Sequence, residues 1–335
     1  MTQTVRVGFY GTGAFANKEH LPNLSKLPGV EIAALCDLNR EALAATGKRF
    51  GVSSLYTDYH EMLEKERIDA LFSIVRAYQR TDCEIIAAKK GIHLFIEKPQ
   101  AADMAKAKEI ARAIRESGAI ATVGVRERFR PTVEAARKFM AGKDFVHAQK
   151  LSFGEATSSP AKYSLEQMGG PFLDWGTHFI DEIRYITGHE VVLAQAFFVP
   201  DPRAESGEYL PLSYIGNFVF DNGATANWTI SNCLDPAITA PYLDFPHLLI
   251  AYRGGSLELR YETLKANGEI IVQTEPTNPW FLSVKAFIEA VRTGDRSLLR
   301  NDFSDGLFSL APVLAARESA KRGGEVIVVR DFAGL

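Results

Sequence analysis

Asp174 and His178 stand four residues apart in the run Gly169-Gly170-Pro171-Phe172-Leu173-Asp174-Trp175-Gly176-Thr177-His178-Phe179-Ile180-Asp181. On a helix that spacing puts them on one face, with Asp181 three residues further along it. Imidazole titrates near neutrality, so such a stripe suits general acid–base work. Carboxylate and imidazole are also metal ligands, but no further His or Cys cluster accompanies them, and no metal site is expected. A capping Asp beside a satisfied, partly buried His is the structural alternative. Glu97-Lys98-Pro99 closes the apolar run His93–Ile96. Open α/β sheets place ligands at strand carboxyl ends, and Pro99 restrains Lys98 to an extended conformation that aims a long cation. Taken alone, the tripeptide fits an edge salt bridge equally well.

A third constellation, Gly11-Thr12-Gly13-Ala14-Phe15-Ala16, follows the run Val5–Tyr10 and opens a helical stretch. In a dinucleotide fold the first Gly makes the tight turn and the second lets backbone approach a pyrophosphate. The third small residue, Ala16, permits close helix–strand packing. The pyrophosphate then meets free N–H groups and the positive end of the helix dipole. Asp37 lies 24 residues after Gly13 at the end of the next apolar run, where a carboxylate accepts from both ribose hydroxyls and repels a 2′-phosphate. NAD is therefore favoured over NADP, with Arg40 three residues on as a counterweight.

The elements that must position these groups fall into two patterns. From Val5 to Gly124 short apolar runs (Val5–Tyr10, Ile32–Cys36, Ala70–Val75, His93–Ile96, Ile120–Val123) alternate with helix candidates at Ala14–Lys26, Arg40–Phe50, Gln79–Lys90 and Asp103–Ser117. That alternation predicts a doubly wound parallel sheet over residues 1–124. After Val125 comes a helix at Pro131–Met140, then alternating stretches at Val146–Phe153, Val191–Val199, Ile215–Phe220 and Thr225–Ser231. Asn222-Gly223, Gly254-Gly255 and Asn267-Gly268 supply hairpin turns. Residues 125–335 thus read as a second α/β domain with a large, mostly antiparallel open sheet. Helices at Phe172–Thr187, Pro279–Thr293 and Asp302–Arg322 would cover one sheet face, and Glu325–Val329 would add a last strand. Thr157–Tyr163 and Pro200–Pro211 read as loops.

The 335 residues are 46% hydrophobic and 24% charged, enough for a real core. Lys+Arg 38 against Asp+Glu 41 leaves a net charge of −3, so no basic excess exists to neutralise nucleic acid. Three cysteines (Cys36, Cys83, Cys233), widely spaced, argue against a disulfide framework and for a reducing cytoplasm. No secretory leader and no bilayer-length apolar run is read, so no membrane partner is expected.

Together and in this order, the motifs resemble the Gfo/Idh/MocA family, which includes glucose–fructose oxidoreductase and inositol 2-dehydrogenase. Gly91–Pro99, Arg128-Phe129-Arg130-Pro131, the 169–181 run and the closing segments 287–294 and 317–323 carry the likeness over nearly the whole chain. It implies an NAD(P)-binding Rossmann domain, a substrate and oligomerisation domain, and an active site in the cleft between them. Lys98, Asp174 and His178 match the family's catalytic trio: His178 exchanges the hydroxyl proton, Lys98 holds that oxygen, Asp174 orients the sugar or the imidazole, and a hydride passes to the nicotinamide. The cofactor contacts expected are Gly11, Thr12, Gly13, Ala14, Phe15, Asp37, Arg40, Val75, Arg76, Glu97 and Lys98. Partners expected are a carbohydrate-like small molecule and further copies of the chain, in a dimer or tetramer formed through the second-domain sheet.

One stretch departs from the pattern. Where the family carries Thr-Pro-Asn-x-x-His under the nicotinamide, this chain has Val75-Arg76-Ala77-Tyr78-Gln79-Arg80. Arginine forks suit carboxylate or phosphate, so Arg76 and Arg126, with Trp175, are the candidate substrate contacts. The alternative is pairing with neighbours such as Glu97 or Glu127, or contact with the cofactor phosphates. The leading expectation is an NAD(P)-dependent oxidoreductase acting on a secondary alcohol of a sugar or cyclitol. A lyase or glycosidase using NAD transiently, and a non-catalytic dinucleotide sensor, are the competing readings.

Overall fold

A computed structural model describes residues 4–153, 170–199, 213–231 and 247–335. The loops expected at 157–163 and 200–211, together with Gly169 and Cys233, lie outside the described residues. Packing divides the chain into two units: Met1–Phe129 with Asn278–Leu307, and Arg130–Thr277 with Phe308–Leu335.

In the first unit, strands β1 (Val5–Tyr10), β2 (Val30–Cys36), β3 (Leu55–Tyr56), β4 (Ala70–Ser73), β5 (His93–Ile96) and β6 (Ala121–Val123) make one sheet in the order β3-β2-β1-β4-β5-β6. Every neighbouring pair is parallel, as the alternating runs require. The strand order reverses beside β1, the position where doubly wound sheets bind dinucleotides. Helices α1 (Leu21–Leu24), α2 (Arg40–Phe50), α3 (Tyr59–Lys65), α4 (Cys83–Lys89) and α5 (Met104–Ser117) connect the strands. The helical stretch expected over 14–26 runs over residues 14–24, with a π-helical turn, Ala16–His20, inside it that leads into α1. Pro22 is the physical reason: it lacks the N–H for an i→i−4 bond and its ring crowds the carbonyl of Lys18.

Residues 125–335 do not all fold as one body. After a 3₁₀ turn (Arg126–Phe129), α6 (Pro131–Met140) opens the second unit, whose sheet adds β7 (Phe145–Phe153), β8 (Val191–Val199), β9 (Ser213–Phe220), β10 (Thr225–Ser231), β11 (Leu248–Tyr252), β12 (Gly255–Leu259), β13 (Thr263–Ala266), β14 (Glu269–Gln273) and β15 (Ile327–Val328). Helix α7 (Gly170–Thr187) precedes β8, α8 (Pro279–Thr293) follows β14, and α9 (Phe303–Lys321) precedes β15. The sequence pattern puts α8 on the second sheet, but it packs in the first unit. Its Val284, Phe287 and Ile288 join a core with Val5, Val7, Phe9 and Phe72, and Phe287 meets the rings of Phe72 and Phe95 edge-on at 5.6 Å each. A parallel sheet must be covered on both faces, and α1 is only four residues long, so α8 completes that cover.

The second sheet runs β14-β13-β12-β11-β7-β10-β9-β8-β15. It is antiparallel except for the β7–β10 pair. Helix α7 docks on it through Phe172, stacked on Trp228 at 5.1 Å, and Phe179, 5.6 Å from the same ring. Gly176 makes the approach possible, since a Cβ there would sit 2.8 Å from the Trp228 ring. Along β8 and β9, Phe197 and Ile215 pair in register and stay 46% and 39% exposed, leaving an apolar outer surface. No helix among the described residues is long and apolar enough to cross a membrane.

Candidate active site

The glycine turn is built as its sequence demands. Gly11 has φ +94°, and a Cβ on it would lie 2.6 Å from the Ile74 carbonyl oxygen and 2.8 Å from Val75 Cγ1. Only glycine fits there. A Cβ on Gly13 would meet nothing within 4 Å, so its backbone faces open space that a ligand can enter. Ala14 and Phe15 are exposed. The Thr12 N–H and hydroxyl donate to Asp37 Oδ2 at 2.7 and 3.2 Å, and the Asn39 N–H donates to Oδ1 at 2.9 Å. Asp37 therefore braces the turn from the carboxyl end of β2. Arg40 is exposed at the first position of α2. Gly11, Asp37, Val75 and Glu97 thus gather at the carboxyl ends of β1, β2, β4 and β5, and the cradle fits a dinucleotide.

Beyond β5, Glu97 is buried. Its Oε1 lies 2.8 Å from Nε2 of the fully buried His20, and its Oε2 accepts from the Lys98 N–H at 3.0 Å. The carboxylate packs where a Cβ on Gly124 would come within 2.6 Å. His20 was not singled out in the sequence; the π-helical turn brings it under β5. Lys98 itself is half-buried, and the Lys98–Pro99 peptide bond is cis.

The arginines of the departing stretch separate. Arg76 is exposed at the end of β4. Arg80, the last residue of the same stretch, turns inward and is buried. Arg126 takes the neighbours of the alternative reading: its Nε lies 3.0 Å from Glu127 Oε1, and its guanidinium stacks 4.3 Å over Trp280. Burial pushes the Cys36 thiol up to about 12 and the Cys83 thiol up as well, so neither is a thiolate at neutral pH.

In the second unit, α7 carries half-buried Asp174 and Trp175 and buried His178. The Asp-His-Asp stripe divides. Asp181 Oδ1 accepts from the Ser309 hydroxyl at 2.8 Å, and that oxygen accepts from Arg184 Nη1 at 2.7 Å, so Asp181 ties α7 to α9. The next acid on the His178 face is Glu182, one turn on. It is buried, with Oε2 2.8 Å from His247 Nε2. Burial alone would raise its pKa, but the charge and hydrogen bond of His247, with Lys150 and Arg130 nearby, hold it below the usual carboxylate value. Glu182 was detectable from its i+4 spacing; His247 reaches it only through the placement of β11. Among the described residues no group of three His, Cys, Asp or Glu side chains could hold a metal ion.

A parallel sheet with a glycine turn at its reversal point and an acid closing the next strand defines an NAD(P)-binding oxidoreductase. Residues 5–125 match the family model described as an oxidoreductase family with an NAD-binding Rossmann fold. That stretch is similar to the Gfo/Idh/MocA family. It is 27% identical to scyllo-inositol 2-dehydrogenase (NAD(+)) of Bacillus subtilis over 100% of both chains. It is 23% identical to D-xylose 1-dehydrogenase (NADP(+)) 2 of Haloferax volcanii over 95% of this chain and 98% of that enzyme. The fold is shared with an Agrobacterium radiobacter oxidoreductase solved with NAD+, L-tartaric acid and magnesium, at TM-score 0.82 and 19% identity, covering 98% of this chain and 99% of that one.

Proposed function

We propose that the protein interconverts a secondary alcohol and a ketone on a sugar, cyclitol or sugar derivative, with NAD as its favoured cofactor. The observation that carries the reading is Lys98, held at the end of β5 in the unit that bears the dinucleotide turn. The Asp174–His178 stripe on α7 supports it. Gly11, Thr12, Gly13 and Asp37 would hold the cofactor, which supplies a two-electron hydride acceptor when bound. His178 takes the hydroxyl proton on oxidation and returns it on reduction. The Lys98 ammonium donates to the same oxygen and offsets the negative charge it gains. Asp174 accepts from substrate hydroxyls or from the imidazole. The named activities of the inositol and xylose relatives support a polyol substrate, and the Asp37 charge supports NAD. The apolar outer face around Phe197 and Ile215 supports a homo-oligomer, which light scattering tests: a monomer mass would exclude it.

The direct experiment follows nicotinamide reduction at 340 nm with a panel of cyclitols, aldoses and glycosides, using NAD and NADP in parallel. Turnover with at least one polyol, faster with NAD, is expected. A panel that reduces neither cofactor would overturn the assignment.

A further inference from the structure

Arg80 holds a place that a residue on a ligand-facing rim would not. Its guanidinium is fully buried against the carboxylate of Glu84, at the start of α4, with Nη1 2.7 Å from Glu84 Oε1. The same Nη1 donates to the Ser73 hydroxyl at 2.7 Å, at the last residue of β4. The other arm, Nη2, donates to the main-chain carbonyl of Glu97 and reaches that of Pro99 at 3.4 Å. These two carbonyls flank Lys98. On the opposite side the Glu97 carboxylate is held by His20 and accepts the Lys98 N–H. The segment carrying Lys98 is thus gripped by its backbone from one side and by the Glu97 side chain from the other.

A buried ion pair is a costly way to gain stability, because desolvating two charges offsets most of their attraction. A planar fork is well suited to fixing two carbonyls in one geometry, which a lysine's point charge cannot do. We propose that Arg80 is a positioning residue for Lys98: it fixes the Glu97–Pro99 backbone from which the Lys98 ammonium reaches the substrate oxygen. The proposal rests on the function assigned above, and its test separates the two.

The first variant is Arg80→Met combined with Glu84→Met, which removes both charges together and spares the fold an unpaired buried carboxylate. Turnover with the polyol substrate should fall about 10–100-fold, as for a displaced catalytic group, a larger loss than any in NADH affinity read by fluorescence. In a Lys98→Ala background the same pair of changes should cost nothing further. Arg80→Lys, which keeps the charge but not the fork, should lie between. A second readout needs no turnover: acetic anhydride labelling of Lys98, quantified by peptide mass spectrometry, should change in rate in the Met pair while labelling of Lys106 does not. Unchanged Lys98 labelling, or a turnover loss fully retained in the Lys98→Ala background, would overturn the proposal. A Lys98→Ala enzyme with normal turnover would instead sink the catalytic reading, leaving the labelling result to judge Arg80.

Discussion

The two units hold their chemistry by different means. In the first, Lys98 projects from the end of a four-residue strand, and its backbone depends on Arg80, Glu84, Ser73 and His20, which are distant in sequence. In the second, Asp174 and His178 sit within an 18-residue helix whose own hydrogen bonds set their spacing, and whose other face is anchored by Phe172 and Phe179 on Trp228. A side chain on a long helix is placed by periodicity once the helix is docked. A side chain at a strand end is placed by whatever fills the space around it. Both units bury charge: the first encloses Arg80 and Glu84 beside its candidate lysine, and α7 adds the Asp181–Ser309 and Glu182–His247 contacts to its aromatic anchor.

The largest expected effect comes from the helix. His178→Ala should lower kcat by about 10²–10⁴ with little change in melting temperature, because the ring is not part of the Phe172–Trp228 anchor. A normal kcat would return His178 to a structural role and remove the contrast. Two glycine replacements sharpen it further. Gly176→Ala drives a methyl group to 2.8 Å from the Trp228 ring, which should cost about 1–3 kcal/mol of stability by overpacking and leave NAD affinity intact. Gly11→Ala meets backbone at 2.6 Å and a φ of +94°, so NAD binding should be lost along with about 1–3 kcal/mol. Calorimetric melting and NADH titration on both variants give the comparison; a Gly176→Ala protein that melts normally would mean α7 is not so closely docked.

Asp37→Ala should weaken NAD by about 10–100-fold, the worth of charged hydrogen bonds lost at a ribose and at the turn, and should weaken NADP less. Equal losses for both would separate Asp37 from cofactor choice.

The smallest effects are on acid stability, and they distinguish the units by pH. Burial, with Arg296 nearby, holds His93 below its ordinary value of 6.5, and its Nδ1 accepts from the Ile120 N–H at 3.0 Å. The unfolded chain takes up this proton first, so the stability His93 contributes is present above pH 6.5 and is lost as pH falls below it. Glu182, also lowered, contributes stability above its ordinary value of 4.5 and loses it as pH falls further. Urea melts across pH 7 to 3 should show the His93 loss first, and His93→Gln should flatten only that portion. Glu182→Gln should flatten only the more acidic one.

The parallel sheet, the glycine turn with Asp37, and the Asp174–His178 stripe were legible because each depends on local order: buried runs, a turn only glycine can make, and helical period. Helix α8 was misassigned because its apolar face says that it packs, not on which sheet. Asp181 and Glu182 could not be ranked by spacing, since both lie within one turn of His178. Ser309 and His247, brought in from distant elements, decided their partners. Arg76 and Arg80 look alike in the sequence, yet Glu84, Ser73 and two carbonyls draw Arg80 inward. Local periodicity and turn chemistry determined the elements and the candidate residues. Only the tertiary structure decided which charges are buried together, because the cost of desolvating a charge is met by partners that chain order does not name.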